Sequence, residues 1–439
     1  MLNFFRSLNS ILWGIPLLVT LLGTHLFFTL HLGFVQKKTF HAIKLSITPE
    51  ENNSNGLSGF GVLATTLAAT LGTGNIVGVS TAIFFGGAGA VFWCWLTGIL
   101  GMATSYGECY LSMRYRRKTS SNTYYGGPMY VLEDGLHKKG LARFYSFCVL
   151  LSSIGVGCTT QSNSIAETVT YLWNFSPTII GILASVLVGL VIIGGFSSIE
   201  SFCIKLVPSM GFLYLAGCMI LLIINYKFLP ASITIILKQA FSLKAAGSGI
   251  AGGILNASIK AAARYGIARG LFTNEAGIGS AAIAAAGSHT ENIERQALIS
   301  MTATFWDTVV MCAITGLVII SNILRYPESV IGMSGGNLTH AAFESIPYIG
   351  APLLGVCLIL FAFATLIGWS YFGQQAFLYL FPKKHLGIYQ TFYLVMIFLG
   401  AVLSLDLVWE ITDTINFFMV IPNLISLYAL KHEIKPPCT

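Results

Sequence analysis

The chain has 439 residues, of which 55% are hydrophobic and only 9% are Asp, Glu, Lys or Arg. Soluble domains carry roughly 25% charged residues, so this composition indicates a protein that crosses a membrane several times. The net charge of +7 does not call for a nucleic-acid partner, because the basic residues cluster in the connections between apolar segments. The nine cysteines form no CxxC pair and mostly lie inside apolar segments, which favours free packing residues over disulfides or a metal site.

Hydropathy predicts eleven membrane spans, since about 20 apolar residues are needed to cross a bilayer. The first span is too long for the core of a signal peptide, and we expect it to be retained. Residues 231–246 and 337–346 are predicted to form short helices at the surface. The predicted spans are 11–34, 57–86, 89–113, 143–173, 177–195, 203–226, 249–287, 296–322, 349–380, 387–405 and 408–430.

The distribution of Lys and Arg predicts the orientation of the chain in the cell membrane. If the loop after the first span is cytoplasmic, 16 basic residues fall on that side, 5 fall outside and 3 lie within the seventh span. Because loops rich in Lys and Arg stay in the cytoplasm, this count predicts an external N-terminus and a cytoplasmic C-terminus. The run RYRRK at residues 114–118 is the strongest contributor.

Two of the predicted spans are interrupted by glycine. Residues 65–80 read TTLAATLGTGNIVGVS, and residues 266–280, near half a chain later, read GIARGLFTNEAGIGS. Glycine costs a helix about 1 kcal/mol relative to alanine, and unwound backbone at membrane depth is tolerated only where protein buries it or water reaches it. Paired interruptions in two halves are typical of inverted-repeat transporters. The chain 1–439 is therefore predicted to be one domain, with an extra helix at 11–34 and repeats of five spans at about 57–226 and 249–430.

Four stretches resemble the alanine/glycine:cation symporter family, also called the sodium:alanine symporters. They are LAATLGTGNIVGV, GGAGAVFWCWLTGILG (Gly86 to Gly101), GGPMY from Gly126 and RYGIARGLFTNEAGIGSA. The resemblance covers nearly the whole chain. It implies an all-α integral membrane fold with a LeuT-type core of two inverted five-helix repeats, discontinuous helices and one extra helix. It also implies symport of alanine or glycine, and in some members D-alanine, with sodium.

Two residues depart from the pattern of that family. Cys94 stands where methionine is usual, and Gly98 stands where a slightly larger small residue is common. Both positions concern helix packing. Transport is still expected, and substrate preference is the property that these changes would alter.

The first interruption, Gly72 to Asn75, is predicted to bind the substrate carboxylate. Free amide groups would begin the outer half-helix, and a helix N-terminus attracts negative charge. The side chain of Asn75 can add an oxygen. The alternative is a close-packed seam between helices, because Gly74 and Gly78 form a GxxxG pair.

The second interruption is expected to face the substrate ammonium. The family resemblance implies that residues 272–277 line the pocket and offer carbonyl groups to it. Glu275 costs roughly 2.5–3.5 kcal/mol inside a membrane unless it is paired, so an ion pair with Arg269 or a neighbouring span competes with direct substrate contact. Gln161 and Asn163 on the fourth span are candidates for polar contact with the substrate, and hydrogen bonds between helices are the alternative.

Thr365 and Trp369 lie four residues apart and share one helix face. The hydroxyl of Thr365, opposite the carbonyls of Ala68 and Leu71, is predicted to bind sodium. Trp369 is predicted to close the pocket over a small side chain, and an ordinary core tryptophan is the alternative. The expected substrate-binding residues are Gly72, Thr73, Gly74, Asn75, Gln161, Phe272, Thr273, Asn274, Gly277 and Trp369, and the expected sodium ligands are Ala68, Leu71 and Thr365.

The sequence offers no enzyme motif in the right context. Gly332 to Gly336 matches GxSxG by letter but follows no strand, and the glycines after residue 58 open a predicted span rather than follow a strand. Of the carboxylates within spans, Asp307 is a candidate proton site. The sequence favours a sodium-coupled symporter of small neutral amino acids in a lipid bilayer, with no cofactor beyond the coupling ion. A proton-coupled symporter of the same fold, a channel and an amino-acid sensor are the alternatives.

Overall fold

The structure is a computed structural model that describes residues 1–48, 59–119, 123–243, 255, 257–333, 335–403 and 406–437. The regular structure of these residues is helical apart from one pair of two-residue strands, β1 (Arg117–Lys118) and β2 (Tyr124–Tyr125), which are antiparallel. The predicted all-α membrane architecture agrees with this content.

The first half of the chain contains α1 (Leu2–Leu12), α2 (Ile15–His31), α3 (Thr39–Ile47), α4 (Gly59–Thr70), α5 (Val77–Gly86), α6 (Gly89–Arg114), α7 (Pro128–Tyr130), α8 (Lys139–Ile154), α9 (Thr160–Trp173), α10 (Pro177–Ile192) and α11 (Gly195–Ile224). The second half contains α12 (Leu229–Ala240), α13 (Ile259–Asn274), α14 (Ser280–Ala286), α15 (Ile293–Thr304), α16 (Ala313–Arg325), α17 (Leu338–Glu344), α18 (Gly350–Leu380), α19 (Leu386–Val402) and α20 (Asp406–Ala429). Turns of π-helix at Gly155–Thr159 and Phe305–Cys312 join α8 to α9 and α15 to α16.

Within the described residues, six helical stretches are long and apolar enough to cross a membrane. Two bent pairs raise that number to eight if each pair is one span: α1 with α2, bent by 42°, and α4 with residues 73–86, bent by 65°. Helices α6 and α10 and the pair α13 and α14 fall outside this count, so the number of eleven spans stays a prediction. The two short surface helices predicted at 231–246 and 337–346 correspond to α12 and α17.

Glycines allow the interrupted helices to lie close to two long helices, α6 and α18. Gly266 and Gly270 of α13 face α6 so closely that a Cβ at either position would overlap Ala90 or Thr97. Gly368 of α18 faces the backbone of Ala69 in α4 in the same way. Small residues let helix backbones approach each other in this manner. Helices α6 and α18 therefore hold the two interruptions in place.

The hairpin after α6 fixes the neighbouring connections through its arginines. Arg116 donates hydrogen bonds to the carbonyl oxygens of Ser288 and Thr290, the second over 2.7 Å. Arg117 donates to both carboxylate oxygens of Asp134, over 2.8 and 2.6 Å. This hydrogen bond raises the pKa of the Arg117 guanidinium above its usual range. The basic run at 114–118 thus has a packing role in addition to its expected effect on orientation.

Candidate functional site

The first interruption is a true break in the helix, as predicted. Helix α4 ends at Thr70, a 3-10 turn covers Thr73–Asn75, and α5 begins at Val77 after a bend of 65°. The amide of Gly72 turns back to the carbonyl of Thr70 (2.9 Å), and the amide of Asn75 binds the carbonyl of Gly72 (3.3 Å). In a regular helix these two amides would instead bind the carbonyls of Ala68 and Leu71.

The break therefore frees both hydrogen-bond acceptors and hydrogen-bond donors of the backbone. The carbonyl oxygens of Ala68 and Leu71 lose their helical partners, and within the described residues the amides of Thr73 and Gly74 have no backbone acceptor. Thr365 of α18 lies beside one of the freed carbonyls, with its Oγ1 3.5 Å from the oxygen of Leu71 and 3.0 Å from that of Phe361. Free carbonyls next to a hydroxyl are the oxygen ligands that a hard cation prefers.

The second interruption is also a break, and it has an unusual backbone. Helix α13 ends at Asn274, and α14 begins at Ser280. Between them Glu275, Gly277 and Gly279 have φ angles of 54°, 93° and 87°. Glycine adopts such left-handed conformations without a steric penalty, whereas Glu275 adopts one at a cost that its surroundings must offset.

Two neighbouring helices bind the backbone of the second break. Glu108 of α6 accepts a hydrogen bond from the amide of Gly277 over 2.8 Å. The Nδ2 of Asn423 in α20 donates to the same carboxylate oxygen over 2.6 Å and to the carbonyl of Gly277 over 2.9 Å. Glu275 accepts a hydrogen bond from Ser280. No ion pair links Glu275 to Arg269 in the described part of the chain, so the expected partner of Glu275 is replaced by a hydroxyl of the same break.

A cavity of about 440 Å³ lies beside the first break. Helices α1, α5, α9, α13 and α20 contribute to its wall. Of the predicted substrate-binding residues, the structure brings four to this wall: Thr73, Gly74, Gln161 and Phe272. The Oγ1 of Thr73 lies 3.5 Å from the Oε1 of Gln161, so the fourth predicted span contacts the break directly.

Other predicted residues lie behind the cavity wall. Asn75 is fully buried and donates to the carboxylate of Asp307 over 2.7 Å. Thr273 donates to the carbonyl of Arg269 over 3.1 Å, and Asn274 accepts from the amide of Ala276 over 3.0 Å. These side chains hold the two breaks in shape and do not line the cavity in this structure.

The remaining predicted residues, Gly72, Gly277 and Trp369, do not line the cavity either. A Cβ on Gly72 would be 3.0 Å from the Oγ1 of Thr365 and 3.7 Å from the Oε1 of Gln161, so Gly72 lies between the expected cation and substrate positions. Trp369 is 2% exposed and packs on Gly157 in the π-helical turn of the fourth predicted span. Gly277 is held by Glu108 and Asn423 as described above.

Two charged residues of the cavity were not singled out from the sequence. The sequence predicts Arg269 only as a possible ion-pair partner of Glu275, and it assigns no role to Asp413. Both line the cavity, as do Asn9 of α1 and Trp13, the residue that follows α1. A charged residue inside an apolar span is the signal that could have identified Arg269 and Asp413.

Comparison with known proteins decides the family. A family model described as the sodium:alanine symporter family matches residues 1–436. The chain belongs to the sodium:alanine symporter family. The family predicted from the sequence motifs is thereby confirmed, and the chain is a membrane protein of an amino-acid symporter family.

Relatives of this symporter agree with that assignment. It is 40% identical to the sodium/alanine symporter AgcS of Methanococcus maripaludis over 98% of this chain and 94% of that protein. It is 30% identical to the amino-acid carrier protein AlsT of Bacillus subtilis over 98% of this chain and 90% of that protein. A solved Na+-coupled sialic acid symporter in a substrate-bound, outward-open state is similar in structure, with a TM-score of 0.51, 12% identity, and coverage of 89% of this chain and 82% of that chain. At this identity the likeness concerns the fold alone.

Proposed function

We propose that this symporter takes up a small neutral amino acid together with sodium. The expected substrates are glycine, L-alanine and D-alanine. The observation that carries the proposal is the pair of freed groups at the first break. The carbonyl oxygens of Ala68 and Leu71 and the amides of Thr73 and Gly74 belong to one short stretch, residues 68–74, so a cation and a carboxylate would bind close to each other. Mutual neutralisation of the two ligands would favour their joint binding.

Each group of the site has a definite task in this proposal. Sodium, as cargo, binds the carbonyls of Ala68 and Leu71 and the hydroxyl of Thr365. The substrate carboxylate binds the amides of Thr73 and Gly74 at the N-terminal end of α5, where the helix dipole favours an anion. Gln161 and Phe272 border the rest of the substrate, and the carbonyls near the second break accept its ammonium protons.

The movement that we propose is alternating access within a LeuT-type arrangement of two inverted five-helix repeats and one extra N-terminal helix. Support comes from the two breaks, one in each half of the chain, each held by a long helix of the same bundle. Sodium would stiffen the first break and complete the carboxylate site. The bundle of broken helices would then rock against the remaining helices with both ligands enclosed. We propose an external N-terminus and a cytoplasmic C-terminus, in keeping with the distribution of Lys and Arg.

Uptake by proteoliposomes tests the proposal. The purified symporter is reconstituted, and concentrative uptake of glycine, L-alanine and D-alanine is measured with an inward sodium gradient, and separately with an inward proton gradient in sodium-free buffer. We expect saturable, concentrative uptake only with sodium. Uptake that follows the proton gradient without sodium would favour the proton-coupled alternative, and flux that neither saturates nor concentrates would indicate a channel.

A further inference from the structure

Two side chains of opposite charge face the cavity without contacting each other. Arg269 belongs to α13 and Asp413 to α20, and both side chains line this cavity. No ion pair within 4.0 Å joins them among the described residues. The Nε and Nη2 atoms of Arg269 and the Oδ1 atom of Asp413 are buried and have no hydrogen-bond partner. Unsatisfied charged groups are costly inside a membrane protein, and they commonly mark a ligand site.

The surroundings fix the position of Arg269. Its guanidinium fills the space left by the missing side chains of Gly74 and Gly78 and lies over the ring of Phe272, with the Cζ atom 4.9 Å from the ring centroid. A planar guanidinium presents its donors as a fork that fits a carboxylate. Because Gly74 also carries one of the free amides of the first break, Arg269 lies directly beside the proposed carboxylate position.

Helix α1 and Trp13, the residue that follows it, fix the position of Asp413. Trp13 donates its Nε1 hydrogen to the carbonyl of Asp413 over 3.0 Å. Asn9 donates to the carbonyl of Glu410, one turn earlier in α20, over 2.7 Å, and accepts from Thr414 over 2.7 Å. These bonds hold the segment of α20 that carries Asp413 against the cavity.

The cavity is larger than one small amino acid needs. Its volume of about 440 Å³ lies in the range of about 300–1,000 Å³ that is usual for pockets of drug-sized ligands. Alanine has few heavy atoms and would leave much of this space empty when it is bound at the first break. A second position for the same ligand therefore fits within the cavity.

We propose that Arg269 and Asp413 form an outer site that binds the two charged ends of an α-amino acid before it reaches the first break. The carboxylate binds the fork of Arg269, and the ammonium binds Asp413. A zwitterion satisfies both buried charges at once, whereas a simple carboxylic acid or amine leaves one of them unpaired and is repelled by it. The outer site thus selects zwitterions, and it rests on the proposed function because it supplies the substrate of that transport.

Competition binding to the purified, sodium-loaded protein tests this inference. Radiolabelled alanine is displaced by unlabelled alanine, by propionate, which has only the carboxylate, and by ethylamine, which has only the ammonium. The variants are Asp413→Asn and Arg269→Gln, with Arg269→Lys as a variant that keeps the charge. Arg264→Gln is the matched control, because Arg264 is an exposed arginine of the same helix that lies over Tyr265.

We expect opposite changes of selectivity in the two charge-removing variants. In Asp413→Asn the preference for alanine over propionate should fall about tenfold or more, and in Arg269→Gln the preference for alanine over ethylamine should fall by a similar factor. Arg269→Lys should retain the rejection of ethylamine, and Arg264→Gln should behave as the wild type. Equally weakened binding of all three ligands, or unchanged preferences among them, would overturn the outer site. The two charged side chains would then serve only to contact each other when the cavity closes. Failure of the wild type to bind alanine would instead contradict the proposed function.

Discussion

The guanidinium of Arg269 lies against Gly78, so closely that a Cβ on that glycine would overlap the Nη1 atom. A Cβ on Gly74 would be 2.5 Å from the Nη2 atom of the same arginine. The GxxxG pair of Gly74 and Gly78 therefore makes room for a buried charged side chain. It does not form the close seam between helix backbones that such a pair often indicates.

The replacement Gly74→Leu should abolish uptake while the protein still inserts into the membrane. The added side chain would overlap Arg269. Its Cβ would also lie 3.2 Å from the Cγ2 atom of Thr273. It would also shield the free amide of residue 74. Uptake in proteoliposomes and the yield of monodisperse protein are the measurements. Gly211→Leu is the control, since nothing lies within 4 Å of a Cβ at Gly211; wild-type uptake by Gly74→Leu would refute the placement of the site.

The replacement Thr365→Val should weaken sodium binding. It removes the hydroxyl next to the freed carbonyl of Leu71 while the shape of the side chain is kept. We expect the sodium concentration for half-maximal alanine binding to rise about tenfold, as for the loss of one bond to a charged group. Thr234→Val is the matched control, because Thr234 likewise donates to a carbonyl four residues earlier but lies on α12. An unchanged sodium requirement in Thr365→Val would remove Thr365 from the cation site.

The replacement Asn423→Leu should lower the stability of the protein. It deletes the donor shared by Glu108 and the carbonyl of Gly277, and both acceptors remain buried at the second break. The loss of bonds to a buried carboxylate costs about 2–4 kcal/mol, so we expect a clear fall in the midpoint of thermal unfolding in detergent. Asn163→Leu should change the midpoint little, since Asn163 makes one long bond of 3.4 Å to the carbonyl of Leu403. Equal midpoints for the two variants would contradict this role of Asn423.

Cysteine labelling tests the proposed orientation. The eight cysteines in the described part of the chain are all buried and should therefore react little with the reagent. The ninth, Cys438, is replaced by serine. A membrane-impermeant thiol reagent added to intact cells should label Ser329→Cys, in the connection before α17, and should not label Lys384→Cys before α19. The opposite pattern would reverse the topology that we propose.

The breaks could be predicted from the sequence because their causes are local. Gly72 and Gly74, and later Gly277 and Gly279, interrupt apolar runs within a few residues of each other, and the structure has a break at each place. The freeing of the Ala68 and Leu71 carbonyls follows from the same local geometry. The bend between α1 and α2 inside the first predicted span was missed, although Gly14 followed by a proline at residue 16 marks it.

The partners of the buried polar side chains could not be predicted, because they depend on tertiary packing. The Nδ2 of Asn75 donates to Asp307, which lies more than half the chain away, and Glu275 binds Ser280 rather than an arginine. Likewise, no local pattern brings Arg269 to Gly78 or places Asp413 on the same cavity. These contacts arise only when α5, α13 and α20 pack around one space.

The measurement that tests the central claim most directly is the affinity of the purified protein for alanine in sodium buffer and in choline buffer of equal ionic strength. Coupling of two ligands is reciprocal and typically amounts to about 5–150-fold in affinity. If sodium and the carboxylate bind side by side at the first break, alanine affinity should be higher in sodium by a factor in this range, and alanine should raise sodium affinity equally. The same alanine affinity in both buffers would contradict the account.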